Sequence, residues 1–468
     1  MKTEQIIYTN KNPILKNTLI KKSSKFWISI ILTFILIIIY IGQIEIVFLI
    51  FSPAWIYAIY NFFIYILHKK FSKIQIRKKD LKENPKVVVF YTTKDDFCEE
   101  AFLSLVRLNY VNKEIYILDD SENEKIRKII DEYAIKYNAK VIRRNSRKGF
   151  KAGAINNALK YIDKNAKYLL IADADELVPK DFIENLLRYF IDNRIAYVQA
   201  KHRAYIEYES NWLKAMKDGV DTHWDYYQNY RNVYGFVPFL GHGAIIDIEK
   251  LREVGGMPEF IAEDLALSIK LRNNGYYGIF ANDIVAFEKF PENYRAFRKR
   301  HKKWIMGNTE LLIKMSKDII FGKMKWFEKI DIYLNIISMF FTIFLIQYTI
   351  LNIWSLTNFN IPLFIITVLT IISPSLPLIK KGIKSIFFNA ITYMSIFILT
   401  FIYLIKSLIK VDFPVTGDKK KQNDYTLYID IIFSLIFLIL SPLSLIFWIT
   451  IITPILEKIF TMRYNAKL

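Results

Sequence analysis

Three carboxylates, Asp173, Asp175 and Glu176, directly follow an apolar run in the segment YLLIADADEL, residues 168–177. Like charges so close together repel, and burying them is costly unless positive charge lies among them. Hard divalent cations take oxygen ligands and often bind through one or two carboxylates together with substrate phosphates. The pattern predicts an Mg²⁺ or Mn²⁺ site at Asp173 and Asp175, although an isolated Asp-x-Asp pair is more often a solvated turn.

The surrounding segments predict the elements that must position these carboxylates. Short apolar runs predict strands at 86–93, 114–121, 139–144, 167–175 and 195–201, and amphipathic stretches predict helices at 97–107, 124–137, 152–162 and 180–190. This alternation is typical of a parallel sheet covered on both faces, in which ligands bind beyond the carboxyl ends of the strands. Asp119 and Asp120 end one predicted strand, and Asp173 and Asp175 end another.

Composition narrows the class of protein. The chain has 468 residues, 53% of them hydrophobic, and a formal net charge of +20. Such an excess of positive charge suits nucleic acid, an anionic membrane surface or an anionic substrate, and the long apolar stretches favour the last two over nucleic acid. The single cysteine, Cys98, excludes an internal disulfide, and no zinc-ligand spacing occurs among it and the five histidines.

Apolar stretches flank the predicted α/β region on both sides. Residues 26–42 and 44–67 are long enough for a transmembrane hairpin, and their basic flanks predict that both ends are cytoplasmic. A cleaved signal peptide is disfavoured by the length of this stretch. Further candidate spans are residues 330–354, 361–379 and 386–409. The stretch 426–460 is long enough to cross the membrane once or twice. The mixed basic and aromatic segment 293–329 is predicted to lie on the membrane surface.

Two topologies remain open for the polar loop at 410–424. If residues 386–409 cross fully, the loop and its three consecutive lysines lie outside the cell, against the positive-inside tendency. If residues 386–409 lie along the interface or re-enter, the loop stays inside, close to the catalytic domain. We favour the second arrangement, which gives six crossings and a cytoplasmic C-terminal tail.

Seven short motifs resemble, in order, those of the family 2 glycosyltransferases, in particular the membrane-embedded processive synthases such as the cellulose synthases. The motifs are ILDDS (117–121), RKGFKAGAINNAL (147–159), ADADE (172–176), FLGHGAIID (239–247), IAEDLALSIKL (261–271), RHKKW (300–304) and FPVTGDK (413–419). The resemblance implies an α/β GT-A-type, Rossmann-like cytosolic catalytic domain inserted between transmembrane α-helices. The implied domains are a hairpin (1–70), the catalytic domain (85–292), interfacial helices (293–329) and a membrane bundle with a gating-like loop (330–468).

The resemblance also assigns roles to residues. It implies that Asp264 is the catalytic base beside Glu263, and that Asp173 and Asp175 hold the metal. The residues implied to bind the nucleotide sugar are Thr92, Asp95, Asp119, Asp120, Lys151, Asp173, Arg300 and Lys303. Those implied on the acceptor side are Gly241, His242 and Trp304, and those of the gating loop are Phe413, Val415, Thr416 and Lys419.

This chain departs from the family pattern at three of these motifs. Ala262 replaces the threonine before the Glu-Asp pair, and this change leaves both carboxylates of the motif in place. Arg300 and Lys303 stand where the family has glutamine and arginine, and Lys303 lacks the planar fork that grips phosphate in a bidentate way. Gly417 and Asp418 precede the lysine of the gating loop. The resemblance therefore supports gating by that loop less strongly than it supports catalysis.

Ordinary structural roles remain as alternatives for several of these residues. Asp264 is also suited to the first turn of a helix, Asp119 and Asp120 to a turn after a strand, and Lys151 to a solvated helix face. His242 is more typical of a satisfied loop histidine than of a base. The aromatic segment HWDYYQNYRNVYGF (223–236) suits either a sugar path or a helix buried at the membrane boundary.

The sequence therefore predicts a metal-dependent, inverting hexosyltransferase of the plasma membrane. It is expected to use a UDP-hexose and Mg²⁺ or Mn²⁺ to extend a β-linked polysaccharide and move it across the membrane. The alternatives are a transferase that adds one sugar to a lipid or short acceptor and, less favoured, a transporter with a nucleotide-sensing domain. Intramembrane charges usually mark ion paths, and the apolar spans carry few.

Overall fold

A computed structural model describes residues 22–41, 46–206, 210–291, 293–338 and 361–409, together with residues 5–6, 428–429, 431–432 and 435. The strands are β1 (Gln5–Ile6), β2 (Gln75–Ile76), β3 (Val87–Thr93), β4 (Lys113–Asp119), β5 (Lys140–Ile142), β6 (Tyr168–Asp173), β7 (Glu176–Leu177), β8 (Ile195–Tyr205), β9 (Ala244–Asp247) and β10 (Tyr277–Lys289). Within the described residues, β3 to β10 form one eight-stranded sheet of order β5-β4-β3-β6-β9-β8-β10-β7.

Helices surround this sheet. They are α1 (Lys25–Ile41), α2 (Ile46–Phe71), α3 (Glu99–Val106), α4 (Glu124–Tyr137), α5 (Phe150–Ala158), α6 (Phe182–Leu187), α7 (Asn211–Tyr227), α8 (Arg231–Tyr234), α9 (Ile248–Glu253), α10 (Glu263–Asn273), α11 (Tyr294–Phe321), α12 (Trp326–Ser338), α13 (Ile361–Ile372), α14 (Ile383–Ser395) and α15 (Phe397–Ile409), with a 3₁₀ segment at Ser373–Lys381 between α13 and α14. The predicted strands and helices between residues 86 and 205 are all present, with ends shifted by a few residues.

The sheet is mixed rather than parallel, which corrects one expectation. Strands β4, β3 and β6 are parallel, as predicted, but β9 runs antiparallel between β6 and β8. In this register Ala244 pairs with Ile171. The chain segment that precedes β9 therefore lies at the carboxyl end of β6, beside Asp173. The antiparallel strand is what brings the glycine-rich segment 239–243 to the edge of the sheet where ligands bind.

Both faces of the central strands are buried, as the continuous apolar runs predicted. Residues 87–91 of β3 are fully buried, and their side chains alternate between two apolar clusters on opposite faces of the sheet. The carboxyl ends of the strands are therefore fixed by packing on both sides. Polar residues that follow these ends, such as Asp173, are held on rigid elements.

Helix α12 docks on the α/β domain through buried polar contacts. Asp331 of α12 accepts hydrogen bonds from the Tyr230 hydroxyl (2.5 Å), Nε of Arg231 (3.0 Å) and the Phe236 amide (2.8 Å). These contacts account for part of the aromatic segment 223–236. Tyr230 and its neighbours are buried in packing between the domain and the adjoining helices, which agrees with the buried-helix alternative rather than with an open sugar path.

Within the described residues, no single helix is both long and apolar enough to cross a membrane. The helix pair Ile383–Tyr393 and Ile398–Ile409 meets the length and composition requirement jointly, with a bend of 41° between its two parts. Several apolar side chains on α1 are exposed, among them Leu36 (64%) and Ile39 (68%).

Candidate active site

Asp173 occupies the end of β6, where two groups hold it. The Thr92 hydroxyl donates a hydrogen bond of 2.9 Å to Oδ1 of Asp173, and Nζ of Lys151 pairs with the same oxygen. Burial alone would raise the pKa of Asp173, but the charges of Lys151 and His242 lower this pKa well below its usual range. Asp173 is therefore ionised at any physiological pH, and its partners Thr92 and Lys151 are both predicted site residues.

Asp175 is in the opposite electrostatic situation. Burial and repulsion from Asp173 and Glu288 raise the pKa of Asp175 to about 7. Among the described residues, no lysine, arginine or histidine forms an ion pair with Asp175. A buried carboxylate without a cationic partner, two residues from an ionised one, fits the donor chemistry of a hard divalent ion. The two residues are therefore able to hold Mg²⁺ or Mn²⁺.

Lys151 links this pair to the glycine-rich segment. It lies in the first turn of α5, and its Nζ also donates a hydrogen bond of 3.1 Å to the carbonyl oxygen of Gly241. Gly241 has φ +91°, and a methyl group placed on its Cα would lie 3.4 Å from Oδ2 of Asp264. Lys151, Gly241 and Asp264 are thus direct neighbours, although Lys151 precedes Gly241 by 90 residues in the sequence.

Glu263 and Asp264 form the first turn of α10, where Glu263 is buried and Asp264 is half-buried. Burial raises the pKa of Glu263 to about 7 with the help of the Asp264 charge, and burial also raises the pKa of Asp264. The charges of Lys303 and Lys151 oppose both shifts. A buried carboxylate with a raised pKa is suited to accept a proton, so the geometry is compatible with the predicted role of Asp264 as a base.

The long helix α11 fixes the position of this carboxylate pair. Oε2 of Glu310 accepts a hydrogen bond of 2.8 Å from the amide of Ile261, just before α10. Gly307 lies against the same segment, where a methyl group would come 3.2 Å from the Ala262 amide nitrogen. Sequence reasoning did not identify Glu310 or Gly307 as supporting residues, since their partners lie more than forty residues away.

Three further predicted residues, Arg300, Lys303 and Trp304, lie on α11. The guanidinium of Arg300 sits between the rings of Phe290 and Trp304, at 4.5 and 4.8 Å from their centroids. Nε of Arg300 is buried and makes no hydrogen bond to the described residues. Trp304 is 39% exposed, so one part of its ring remains available to a ligand.

The predicted nucleotide-side aspartates all have partners in the structure. The side chain of Asp119 is fully buried and accepts a hydrogen bond of 2.7 Å from Nε of Arg143. Arg144 binds Asp120 in a bidentate way, with distances of 2.8 and 2.6 Å. Asp95 accepts hydrogen bonds from two backbone amides, those of residues 122 and 123. These aspartates are therefore well placed to order the loops around a nucleotide.

His242 lies among carboxylates rather than beside solvent. Its Nε2 is 3.3 Å from Oε2 of Glu288 and 4.0 Å from Oδ2 of Asp173, and its Nδ1 is 3.2 Å from Oε1 of Glu176. Burial would lower the pKa of His242, but the charges of Glu176 and Asp173 raise it well above its ordinary value. Sequence reasoning missed Glu288, and the one available signal was that this acidic residue directly follows the apolar run IVAF (284–287).

The four predicted gating-loop residues, Phe413, Val415, Thr416 and Lys419, lie outside the described residues. Their predicted role stays a prediction. The structure brings together the other predicted groups at one edge of the sheet: Thr92, Lys151, Asp173, Asp175, Gly241, His242, Glu263 and Asp264. Asp119 and Asp120 end the neighbouring strand β4 and are joined to β3 by its ladder.

A mixed α/β sheet with paired carboxylates at one strand end and a second acidic pair on the facing helix α10 defines a GT-A-type fold. The sequence profile described as "Glycosyl transferase family group 2" matches residues 168–409, just over half of the chain. The protein belongs to this family of glycosyltransferases. The family resemblance inferred from the seven motifs is thereby confirmed.

Several curated relatives of this chain are mannosyltransferases. The chain is 27% identical over 215 residues to glucomannan 4-β-mannosyltransferase 1 of Cyamopsis tetragonoloba, and 28% identical over 225 residues to glucomannan 4-β-mannosyltransferase 2 of Arabidopsis thaliana. These segments cover 44% and 46% of this chain and 41% and 42% of the two relatives. The chain therefore matches about two fifths of the length of each relative.

One solved structure supports the fold assignment. The mannosyltransferase PcManGT from Pyrobaculum calidifontis, solved in complex with GDP-Man and Mn²⁺, superposes with a TM-score of 0.55 at 18% identity. The superposition covers 77% of this chain and 97% of that chain. At this level of identity the similarity establishes the fold.

Proposed function

We propose that this protein transfers a hexose from a nucleoside-diphosphate sugar to a growing β-linked polysaccharide, with inversion at the anomeric carbon. The observation that supports this proposal most directly is the chain of contacts from Asp173 through Lys151 and Gly241 to Asp264. It places a strongly ionised carboxylate and a carboxylate with a raised pKa on two sides of one small site. Those are the two kinds of acidic group that an inverting transfer needs.

In the proposed reaction Asp264 takes the proton from a hydroxyl of the acceptor. The acceptor oxygen then forms its bond to the anomeric carbon while the bond from that carbon to the diphosphate oxygen breaks. Single displacement converts an α-linked donor into a β-linked product. Asp173 and Asp175 are the residues that would hold Mg²⁺ or Mn²⁺, which supplies positive charge against the leaving diphosphate when bound.

Lys151 and Arg300 are the cations of this chain best placed to support the departing group. Lys151 is already beside Asp173, so its charge lies close to where the diphosphate is proposed to bind. Arg300 is held by two aromatic rings with its Nε directed to no protein partner among the described residues. Trp304, which is partly exposed on the same helix, offers an apolar face on which an acceptor sugar can stack.

The identity of the donor is part of the proposal. The family resemblance favours a UDP-hexose, whereas the names of the curated relatives favour a mannose donor, for which GDP-mannose is the test compound. The experiment is to incubate purified protein and Mn²⁺ with UDP-glucose, UDP-galactose, UDP-N-acetylglucosamine and GDP-mannose. Release of nucleotide and the length and linkage of the product are then measured.

A β-linked polymer from one of these donors would support the proposal. A product extended by a single sugar would instead identify a non-processive transferase. The proposal of sugar transfer would be overturned if the protein bound one of these donors but released no nucleotide from any of them.

We further propose that the chain is anchored in the plasma membrane with its catalytic domain in the cytoplasm, and that it moves its product across. Support comes from the exposed apolar side chains of α1 and α15, because monomeric soluble proteins rarely expose large contiguous apolar patches. The test is reconstitution in vesicles with donor added outside. Polymer that resists added glycosidase until detergent is supplied would support translocation, and polymer that is digested fully without detergent would contradict it.

A further inference from the structure

Glu176, His202 and His242 come together behind the paired aspartates from three separate elements. Glu176 lies in β7, His202 in β8, and His242 in the glycine-rich segment before β9. One ligand-type atom from each of the three lies within 4.8 Å of the others. The cluster is buried: the side chains of Glu176, His202 and His242 are 0%, 2% and 14% exposed.

Of the three atoms that face one another in this cluster, two make no hydrogen bond to the described residues, and the third, Nε2 of His202, lies 3.3 Å from Nε2 of Gln199. Oε1 of Glu176 is 3.2 Å from Nδ1 of His242 and 3.6 Å from Nε2 of His202. Among the described residues, both Oε1 of Glu176 and Nδ1 of His242 are buried without a hydrogen bond. The other oxygen, Oε2 of Glu176, accepts a bond of 3.1 Å from the Gly243 amide, which leaves Oε1 directed at the two rings. Buried polar atoms without partners are rare, and a bound ion or water is one of the features that accounts for them.

Gly243 shows that the backbone makes room for these atoms. Its φ is +59°, and a methyl group on its Cα would lie 2.2 Å from Nε2 of His202 and 2.4 Å from Oε1 of Glu176. A residue with a side chain could not occupy this position without displacing both groups. The close approach of the backbone therefore keeps the two atoms near a common point.

Glu288 provides the outer support that a histidine-ligated ion usually has. Its Oε2 lies 3.3 Å from Nε2 of His242 and 3.6 Å from Nδ1 of His202. These are the ring nitrogens on the far side from Glu176. Metal-ligating histidines nearly always donate their second N–H to a carboxylate, carbonyl or water, which fixes the tautomer and the ring orientation. One carboxylate is here placed to orient both imidazoles.

We propose that Glu176, His202 and His242 bind a divalent transition-metal ion, separate from the ion expected at Asp173 and Asp175. Two imidazole nitrogens and one carboxylate oxygen form a set that suits such ions rather than Mg²⁺ or Ca²⁺. The ion would join β7, β8 and the segment that carries Gly241, and so would brace that segment against the strand end. Its role is structural, and the inference does not depend on the transfer reaction proposed above.

The test uses Mn²⁺ alone as the probe on purified full-length protein freed of metal. Calorimetric titration counts the bound ions, and electron spin-echo modulation from ¹⁴N detects imidazole bound to Mn²⁺. We expect two ions per wild-type chain and clear ¹⁴N modulation. Asp175→Asn should remove one ion and keep the ¹⁴N signal, since the remaining ion has the histidine ligands.

Variants of the cluster should show the complementary pattern. His202→Gln should lose one ion and weaken the ¹⁴N modulation, and Glu288→Gln, which leaves all three ligands in place, should weaken the affinity of that ion by roughly 10- to 100-fold. His223→Gln is the control, because His223 is a histidine outside the cluster whose Nε2 is hydrogen-bonded to a glutamine, 3.0 Å from Nε2 of Gln228. Circular dichroism establishes which variants are folded.

Two results would overturn the inference. One is a wild-type protein that binds a single Mn²⁺ whose ¹⁴N modulation disappears in Asp175→Asn. The other is a folded Glu288→Gln protein that binds two ions as tightly as the wild type. If His202→Gln fails to fold, Glu288→Gln and Asp175→Asn still decide between the outcomes, because the side chain of Glu288 is partly exposed and tolerates an isosteric change.

Discussion

Two groups of carboxylates lie in opposite electrostatic environments. One group is on the side proposed to bind the nucleotide, and the other is on the side proposed to carry out the transfer. On the nucleotide side, Asp119 and Asp120 are each bonded to an arginine, Arg143 and Arg144. On the transfer side, the pKa values of Asp175 and Glu263 are both raised to about 7 by burial and by neighbouring negative charge. The negative charge of the first group is balanced by ion pairs with arginine. The negative charge of the second group has no such ion pair among the described residues.

This difference distinguishes carboxylates that order loops from carboxylates that are proposed to take part in the reaction. A carboxylate that is bonded to arginine is held in one orientation, so it orders the loop in which it lies. A buried carboxylate with excess negative charge around it gains from any cation or proton that arrives. The protein therefore concentrates its unfavourable electrostatics where a metal ion and a reacting hydroxyl are proposed to bind. Residues of the first kind should affect stability and donor binding, and residues of the second kind should affect turnover.

The largest expected effect belongs to Asp264. Asp264→Asn keeps the size of the side chain and removes its ability to take a proton. We expect kcat to fall by roughly 10²- to 10⁴-fold, the range for loss of a positioned base, while donor binding is retained. The measurement is nucleotide release in the steady state together with calorimetric binding of the donor. Turnover within a few-fold of wild type would exclude Asp264 as the base.

A second, smaller effect is expected from Arg144→Lys on the nucleotide side. The lysine keeps the charge but loses the two parallel bonds to Asp120, which should cost about 1–3 kcal/mol in stability. We expect a lower melting temperature and a raised KM for the donor, with kcat changed little. A fall in kcat without a change in KM would mean that the two sides of the site are not separated as proposed.

The strands around residues 86–205 and the aspartates that end them were predictable from sequence, because continuous apolar runs and strand-end carboxylates are local signals. Strand β9 was not predicted, because its four residues lie in a segment interpreted as a glycine-rich loop. The contacts of Glu176, His202 and Glu288 were also not predictable. They depend on the register of β7, β8 and β10, which brings together residues that are far apart in sequence.

Gly241→Ala tests whether the glycine-rich segment positions Asp264. Alanine is strained at φ +91°, by about 1–2 kcal/mol, and relief of this strain would move the segment whose methyl group is in van der Waals contact with Oδ2 of Asp264, at 3.4 Å. Gly275→Ala is a matched control, since its φ is +92° and nothing lies within 4 Å of the added methyl. We expect similar losses of stability in both variants and a loss of kcat, of about tenfold or less, in Gly241→Ala alone. Equal kcat values in the two variants would contradict a positioning role.

The smallest expected effect is a shift in the pH dependence of kcat when the positive charge of Lys303 is removed. Asp264 accepts a proton only when ionised, so turnover should rise as pH increases through its raised pKa. The charge of Lys303 lowers the pKa values of both Glu263 and Asp264. Lys303→Gln removes this charge, so both pKa values should rise and the acidic limb of the pH–kcat profile should move to higher pH. At pH values well above the limb, kcat should approach that of the wild type.

Lys302→Gln is the control for this shift. Lys302 is the preceding residue of α11, but its Nζ lies 4.3 Å from the centroid of the Tyr403 ring, and its charge is not among the main causes of the pKa shift of either carboxylate. Its substitution should leave the acidic limb in place. A shift of equal size in both variants would indicate a general effect of net charge. A shift to lower pH in Lys303→Gln would show that the limb reports a group other than the buried pair, since removing a nearby positive charge can only make a carboxylate harder to ionise.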